Sequence, residues 1–189
     1  MNISELPIRT ARLELRDLVV EDFEFVHRYA SDPQVTRYLA WGPNTPAETR
    51  AFLLRAHAHA LLRPRRDFEL GVIDRVSGKL IGGCGLHSRR EPSREYETGY
   101  CLRRDWWGKG VGSEAVRALV DFGFRNIRAH RIYAQVSPGN GASARILERL
   151  GFRLEGHLRR DEFVREERHD TLLYAVLEEE WRSHRPTLA

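Results

Sequence analysis

The sequence has little cysteine and no long apolar run. Two cysteines, Cys84 and Cys101, stand among 189 residues. Neither has a neighbour in C-x-x-C spacing, and both sit in apolar, strand-like stretches. This excludes a disulfide framework and a thiolate zinc site, and fits two small buried thiols in a reducing compartment. No apolar stretch approaches the roughly 18–20 residues that a membrane span needs. The opening Met1-Asn2-Ile3-Ser4-Glu5-Leu6-Pro7 has neither the basic nor the apolar region of a signal peptide. The expected location is therefore the cytoplasm, with no membrane partner. Ligand-like histidine spacing is lacking as well. His57 and His59, two apart on a helix, cannot face one metal, and His130, His157 and His169 form no set, so no metal is expected. There are no repeats, low-complexity tracts or long linkers. The chain reads as one domain, residues 1–189 with a core over about 8–181, large enough to bury that core without staples.

What is present is ordinary for a globular protein. Lys and Arg number 31 against 27 Asp and Glu, a formal net charge of +4. That surplus suits a polyanionic small molecule. Without aromatic residues interleaved among the basic ones, it does not call for direct nucleic-acid binding. The basic clusters 63–66 and 89–90 read as solvated faces or, beside a coenzyme, as partners for a phosphate.

Period-two alternation predicts strands over 8–16, 68–73, 79–86, 95–102, 131–136, 152–158 and 172–177. Helical spacing predicts helices over 21–30, from about Thr45 to Leu62, from Ser113 to about 128, and from about Asn140 to Leu150. Thr45 and Glu48 form a T-x-x-E capping box with Pro46 at the first helical position. Gly151 is placed to stop the last helix. The order predicts an α/β fold with helices flanking one mixed sheet of about seven strands.

Between the strand at 95–102 and the next helix lies Asp105-Trp106-Trp107-Gly108-Lys109-Gly110-Val111-Gly112. Glycines at every second position leave successive backbone N–H groups unshielded, and a helix start adds free amides and a positive dipole end. A diphosphate is the natural guest. Neither the Walker pattern nor the dinucleotide fingerprint fits the register. By itself the loop also reads as a tight strand–helix connection.

The stretch E-T-G-Y-C-L, then W-G-K-G-V-G-S-E-A, then N-G-A-S-A-R-I-L-E-R-L-G-F resembles the GNAT N-acetyltransferase superfamily. T-A-R-L-E-L-R-D-L with S-D-P-Q-V-T-R-Y-L is similar to the branch of bacterial ribosomal-protein N-terminal acetyltransferases. The resemblance runs from about Thr10 to Trp181. It implies a GNAT-like, mostly antiparallel sheet splayed between the fourth and fifth predicted strands, with a bulge near 99–101. It implies acetyl-CoA as cosubstrate and a primary amine as acceptor, attacking the thioester directly in a ternary complex. By the branch, that acceptor is a ribosomal or other protein N-terminus. A small amine (amino acid, polyamine or antibiotic) and a non-catalytic acetyl-CoA-binding regulator stay open, and so do monomer and homodimer.

The family's pyrophosphate loop falls on Trp107, Gly108, Lys109, Gly110, Val111 and Gly112, with Ser113 next. Trp107 stands where the wider superfamily has Gln or Arg. Tyr100, Cys101 and Leu102 match the strand end that pairs with the pantetheine arm. Asn140 and Ser143 match the head of the next helix, one on the pantetheine and one near the sulfur, although Asn140 also suits an ordinary N-cap. Trp41 and the loop 42–46 sit where relatives shape the acceptor pocket, although Trp41 also reads as an aromatic covering the edge of the core. Where many members carry a tyrosine acid this chain has Leu147, so Ser143 becomes the proton donor. For the base, two carboxylates, Glu162 and Glu97, and a water chain stand open. Cys84 and Cys101 lack a histidine partner, which disfavours an acetyl-cysteine route.

Overall fold

The computed structural model describes residues 6–90 and 93–183, with the side chain of Arg90 outside that description. Its strands are β1 (Ile8–Arg9), β2 (Leu13–Asp17), β3 (Asp67–Asp74), β4 (Leu80–Arg90), β5 (Glu95–Leu102), β6 (Arg131–Val136), β7 (Arg153–Val164) and β8 (Glu167–Leu177). They form one sheet in the order β1-β2-β3-β4-β5-β6-β8-β7. Every neighbouring pair is antiparallel except β5 and β6. The helices are α1 (Phe23–Ala30), α2 (Pro33–Thr36), α3 (Pro46–Leu61), α4 (Val111–Arg125), α5 (Gly141–Arg149) and α6 (Glu178–Ser183).

The eighth strand comes from the reading of 8–16 as continuous. Thr10 closes a turn there instead: its N–H donates to the Leu13 carbonyl at 2.9 Å, and its Oγ1 accepts from Leu13 N–H. The last two strands also run past the predicted ends. Their extension is charge-rich, which hides the alternation, and it closes on Arg165 and Glu166 with φ of +51° and +64°. Two left-handed residues are what a tight hairpin turn demands, here supplied without glycine. The capping box forms as expected, with Thr45 N–H donating to Glu48 Oε2 at 2.7 Å, and Gly151 ends α5 with φ +86°.

Two cores sandwich the sheet. One buries Leu13, Leu70, Ile81, Leu86 and Ile132 with Val116 and Leu119 of α4. The other, on the side of α1 and α3, gathers Leu18, Val26, Tyr29, Leu53 and Leu80.

β5 and β6 pair only through Glu95–Arg131, Tyr96–Ile132 and Glu97–Tyr133. Beyond them the strands part, β5 staying with β4 and β6 with β8. The splay is therefore present, but the expected bulge at 99–101 is not. Register runs unbroken from Gly82–Leu102 to Ser88–Tyr96 and shifts only between Ser88 and Arg90.

Candidate active site in the splayed sheet

The glycine loop turns into α4 through Gly108 and Gly110, whose φ values are +72° and +74°. Gly110 is the N-cap, so the helix begins at Val111, two residues before the expected start. Val111 belongs to the buried apolar stripe and draws the first turn onto the core. The first amide beyond the cap with a helical partner is that of Glu114, which donates to the Gly110 carbonyl at 3.2 Å. The amides of Val111, Gly112 and Ser113 thus precede the helical ladder and point out of the helix start. Gly112 faces α5, where an added Cβ would stand 3.2 Å from Ile146 Cδ1. These features fit a diphosphate cradle.

The loop is fastened on two sides. Trp107 Nε1 donates to the Leu102 carbonyl at 2.8 Å, tying the loop back to the end of β5, while Lys109 Nζ lies 5.0 Å from the Trp106 ring centroid. On the other side Glu114 accepts from Thr10 Oγ1 at 2.5 Å, Arg12 N–H at 3.0 Å and Arg12 Nε at 2.6 Å. Arg12 Nη1 also donates to the Lys109 carbonyl at 2.9 Å. Burial pushes the Glu114 carboxyl up, but these bonds from Thr10 and Arg12 outweigh it and hold it below its ordinary value. Nothing in the pattern of the helix itself marks Glu114 for this contact. The T-A-R turn that catches it is about 100 residues away in sequence, a pairing that only topology reveals.

Across the gap, Asn140 caps α5, its Oδ1 accepting from Ser143 N–H at 3.2 Å. The Ser143 hydroxyl lies 2.8 Å from Tyr100 Oη. Burial pushes the Tyr100 phenol up to about 12, against a lowering by the Ser143 bond, so it stays protonated. Leu147 is fully buried in the core. A phenol thus reaches the head of α5 from β5 and not from position 147 of the helix. Both thiols are buried, Cys101 pushed up to about 12 and Cys84 higher still, which leaves no nucleophilic thiolate.

A cavity of about 700 Å³ opens beside the free edge of β5, its lining including Gly99, Tyr100 and Cys101 together with Trp41, Gly42 and Asn44. Trp41 and its loop are thus part of the wall. Arg165, at the tip of the β7–β8 hairpin, closes the far side by donating to the carbonyls of Thr36 at 3.0 Å and Gly42 at 2.8 Å. Neither open carboxylate lines this cavity. Glu97 is held by Arg89 Nε at 2.6 Å, and Glu162 pairs with His169 across the hairpin, two residues from the lining Val164. Instead the wall carries Glu69 and His87, which nothing in the sequence pattern marked. Of the basic clusters, Arg65 is buried against Asp17 at 2.6 Å. A separate hollow of about 740 Å³ among Arg94, Asp121, Arg125 and Arg128 touches neither the glycine loop nor the gap. Among the described residues no metal-binding cluster occurs, and no helix is long and apolar enough to cross a membrane.

Residues 12–153 match the family described as the acetyltransferase (GNAT) domain. The chain is 33% identical to an uncharacterized N-acetyltransferase p20 of Bacillus licheniformis, over 91% of this chain and 96% of that one. A crystal structure of a GNAT-family acetyltransferase from Bacillus anthracis superposes with a TM-score of 0.81 at 32% identity, covering 92% of this chain and 99% of that one. Spermidine N-acetyltransferase of Vibrio cholerae, solved in complex with CoA and spermine, shares the fold with a TM-score of 0.79 at 23% identity, covering 92% of this chain and 99% of its own.

Proposed function

This chain belongs to the GNAT family of acetyltransferases, and we propose from that premise that it transfers the acetyl group of acetyl-CoA to a primary amine by direct attack in a ternary complex. The observation that carries this reading is the parting of β5 from β6 beyond Glu97 and Tyr133. It leaves a gap with free helix-start amides on one side and a cavity on the other. The pyrophosphate rests on the amides of residues 108–113, with Gly108 and Gly110 leaving room for it, Gly112 letting α5 pack close, and Trp107, Lys109, Val111 and Ser113 completing the turn. The pantetheine arm pairs with the free edge of Tyr100, Cys101 and Leu102, between β5 and Asn140.

Acetyl-CoA supplies a thioester whose carbonyl accepts the amine and whose sulfur leaves. What the chain contributes is placement and proton handling. Ser143 stands where a leaving sulfur needs a proton, and Tyr100, protonated at neutral pH, orients its hydroxyl and can replace the proton given. The branch resemblance supports a protein N-terminal α-amino group as acceptor. The spermine-bound relative and the cavity bounded by Arg165 favour a small amine as the alternative.

Titrating the ¹⁵N-labelled chain with coenzyme A tests the placement. The amides of residues 108–113 should shift first and most. Saturable binding that leaves them unmoved would remove the coenzyme from the glycine loop.

A further inference from the structure

In an antiparallel sheet, directly paired residues point to the same face and successive residues alternate. Leu70, Cys84 and Tyr100 form one such row, and Leu70 and Cys84 belong to the core under α4. The next row, Glu69–Gly85–Gly99, therefore points to the opposite face, toward α1 and α3. Beside it runs Asp67–His87–Glu97, on that same face.

Two glycines thus lie between Glu69 and the gap. Nothing stands within 4 Å of where a Gly99 Cβ would be. At Gly85, an added Cβ would fall 2.7 Å from His87 Nε2 and 3.1 Å from Glu69 Oε2. The glycine there makes room for the contact between these two side chains. His87 Nε2 lies 3.3 Å from Glu69 Oε1, and His87 Nδ1 lies 3.3 Å from Asp67 Oδ1. Asp67 in turn stands 3.9 Å from His59, which is 43% exposed. The chain Glu69–His87–Asp67–His59 leads from the cavity wall to solvent.

Glu69 keeps 26% of its side-chain surface accessible, and it lines the cavity. Two strand spacings, roughly 10 Å, separate its backbone from β5. A glutamate side chain and one amine nitrogen, or one water, span that distance over a bare floor.

We propose that Glu69, seated by His87 and Asp67, receives the ammonium group of the acceptor and takes its first proton, on the face of the sheet opposite the Tyr100 side chain. This assignment rests on the acetyltransferase reading and adds a residue and a direction to it. The nitrogen loses two protons in all. The first passes to the Glu69 carboxylate and on through His87 toward solvent. The freed lone pair forms the C–N bond, the C–S bond breaks, and the sulfur takes a proton from Ser143. The second N–H proton, lost as the amide forms, restores the Ser143–Tyr100 pair. A cationic primary amine is the substrate class.

Burial raises the Glu69 carboxyl, with Asp67 adding to the rise, while His87 and Arg55 of α3 oppose it, and the outcome lies above the ordinary 4.5. Tyr29 of α1 and Cys101 of β5 also lie close, both protonated at neutral pH. The carboxylate therefore forms only above the usual range, and the rate falls as pH drops through that raised value.

The test uses spermidine and an alanine-terminated tetrapeptide as acceptors, with Glu69→Gln, Glu69→Asp and His87→Asn. Expected for Glu69→Gln are a fall in kcat of about 100-fold, an unchanged coenzyme affinity and the loss of the acid limb. Glu69→Asp should restore part of the rate, and His87→Asn should move the acid limb to higher pH. Carboxyl ¹³C NMR of the ligand-free chain should show Glu69 titrating above 4.5 and shifting when a turned-over amine is added. An unchanged kcat and pH profile in Glu69→Gln, or a Glu69 signal that neither amine moves, overturns the proposal. Should Glu69→Gln not fold, an unmoved acid limb in His87→Asn does so. An amine that shifts the Glu69 signal without any acetyl transfer by the unaltered chain would sink the acetyltransferase reading and leave the ammonium site standing.

Discussion

Gly110 holds the N-cap of α4 at φ +74°, a conformation that costs an L-residue about 1–2 kcal/mol. Gly110→Asp adds a like charge inside a phosphate cradle, and repulsion of similar size brings the expected loss of coenzyme affinity to about 100-fold. Calorimetry with coenzyme A checks this, and unchanged binding would displace the cradle. At Ser143, the cap of α5 uses the backbone N–H and survives Ser143→Ala. That substitution should therefore lower kcat by about 100-fold with little change in coenzyme affinity or melting temperature, read from steady-state rates beside a thermal melt. The glycine positions and Asn140 were legible because backbone demands write themselves into residue type. Tyr100 was legible as part of the strand end that meets the pantetheine arm, not as a partner of Ser143. Its hydroxyl finds Ser143 across a gap that neither local segment encodes.

The start of α4 is held by the turn between β1 and β2. Alternation over 8–16 reads as one strand, yet Thr10 and Arg12 leave the sheet and close on Glu114. Arg12→Ala should loosen the Lys109 carbonyl and weaken coenzyme affinity by about tenfold, seen in the same titration. The Glu114 carboxyl is depressed in the folded chain, so its contribution to stability is complete above its unfolded value and fades as pH falls through the folded one. Melting temperature measured down the acid range should drop less steeply in Glu114→Gln than in the unaltered chain; parallel curves would deny the clamp its role. The outer part of the β7–β8 hairpin, beyond Leu158 and before Leu172, escaped sequence reading because its charged residues mask alternation. Its tip is nonetheless the roof of the cavity, through Arg165. Arg165→Ala should raise the KM for the acceptor and leave the coenzyme affinity alone, a split that initial-rate kinetics with each substrate varied will display.

Across the whole molecule the sheet divides the work. Core side chains under α4 seat the glycine loop and the Ser143–Tyr100 pair, while the face toward α1 and α3 carries the cavity, Glu69 and His87. The seven predicted strands, their succession along the chain and the splay followed from periodicity and family resemblance. The register that puts Glu69, Gly85 and Gly99 in one row did not, because long-range pairing is set by tertiary packing. A charged residue in a strand carries no mark of whether it faces water or a cavity.

The central claim is acetyl transfer from acetyl-CoA to a primary amine at this gap. It is tested most directly by following thiol release with the unaltered chain and a panel of peptides and polyamines, with the product identified by mass spectrometry. The account predicts amine-dependent release matched by an equal amount of acetylated amine. Coenzyme binding without release for any amine in the panel would contradict it.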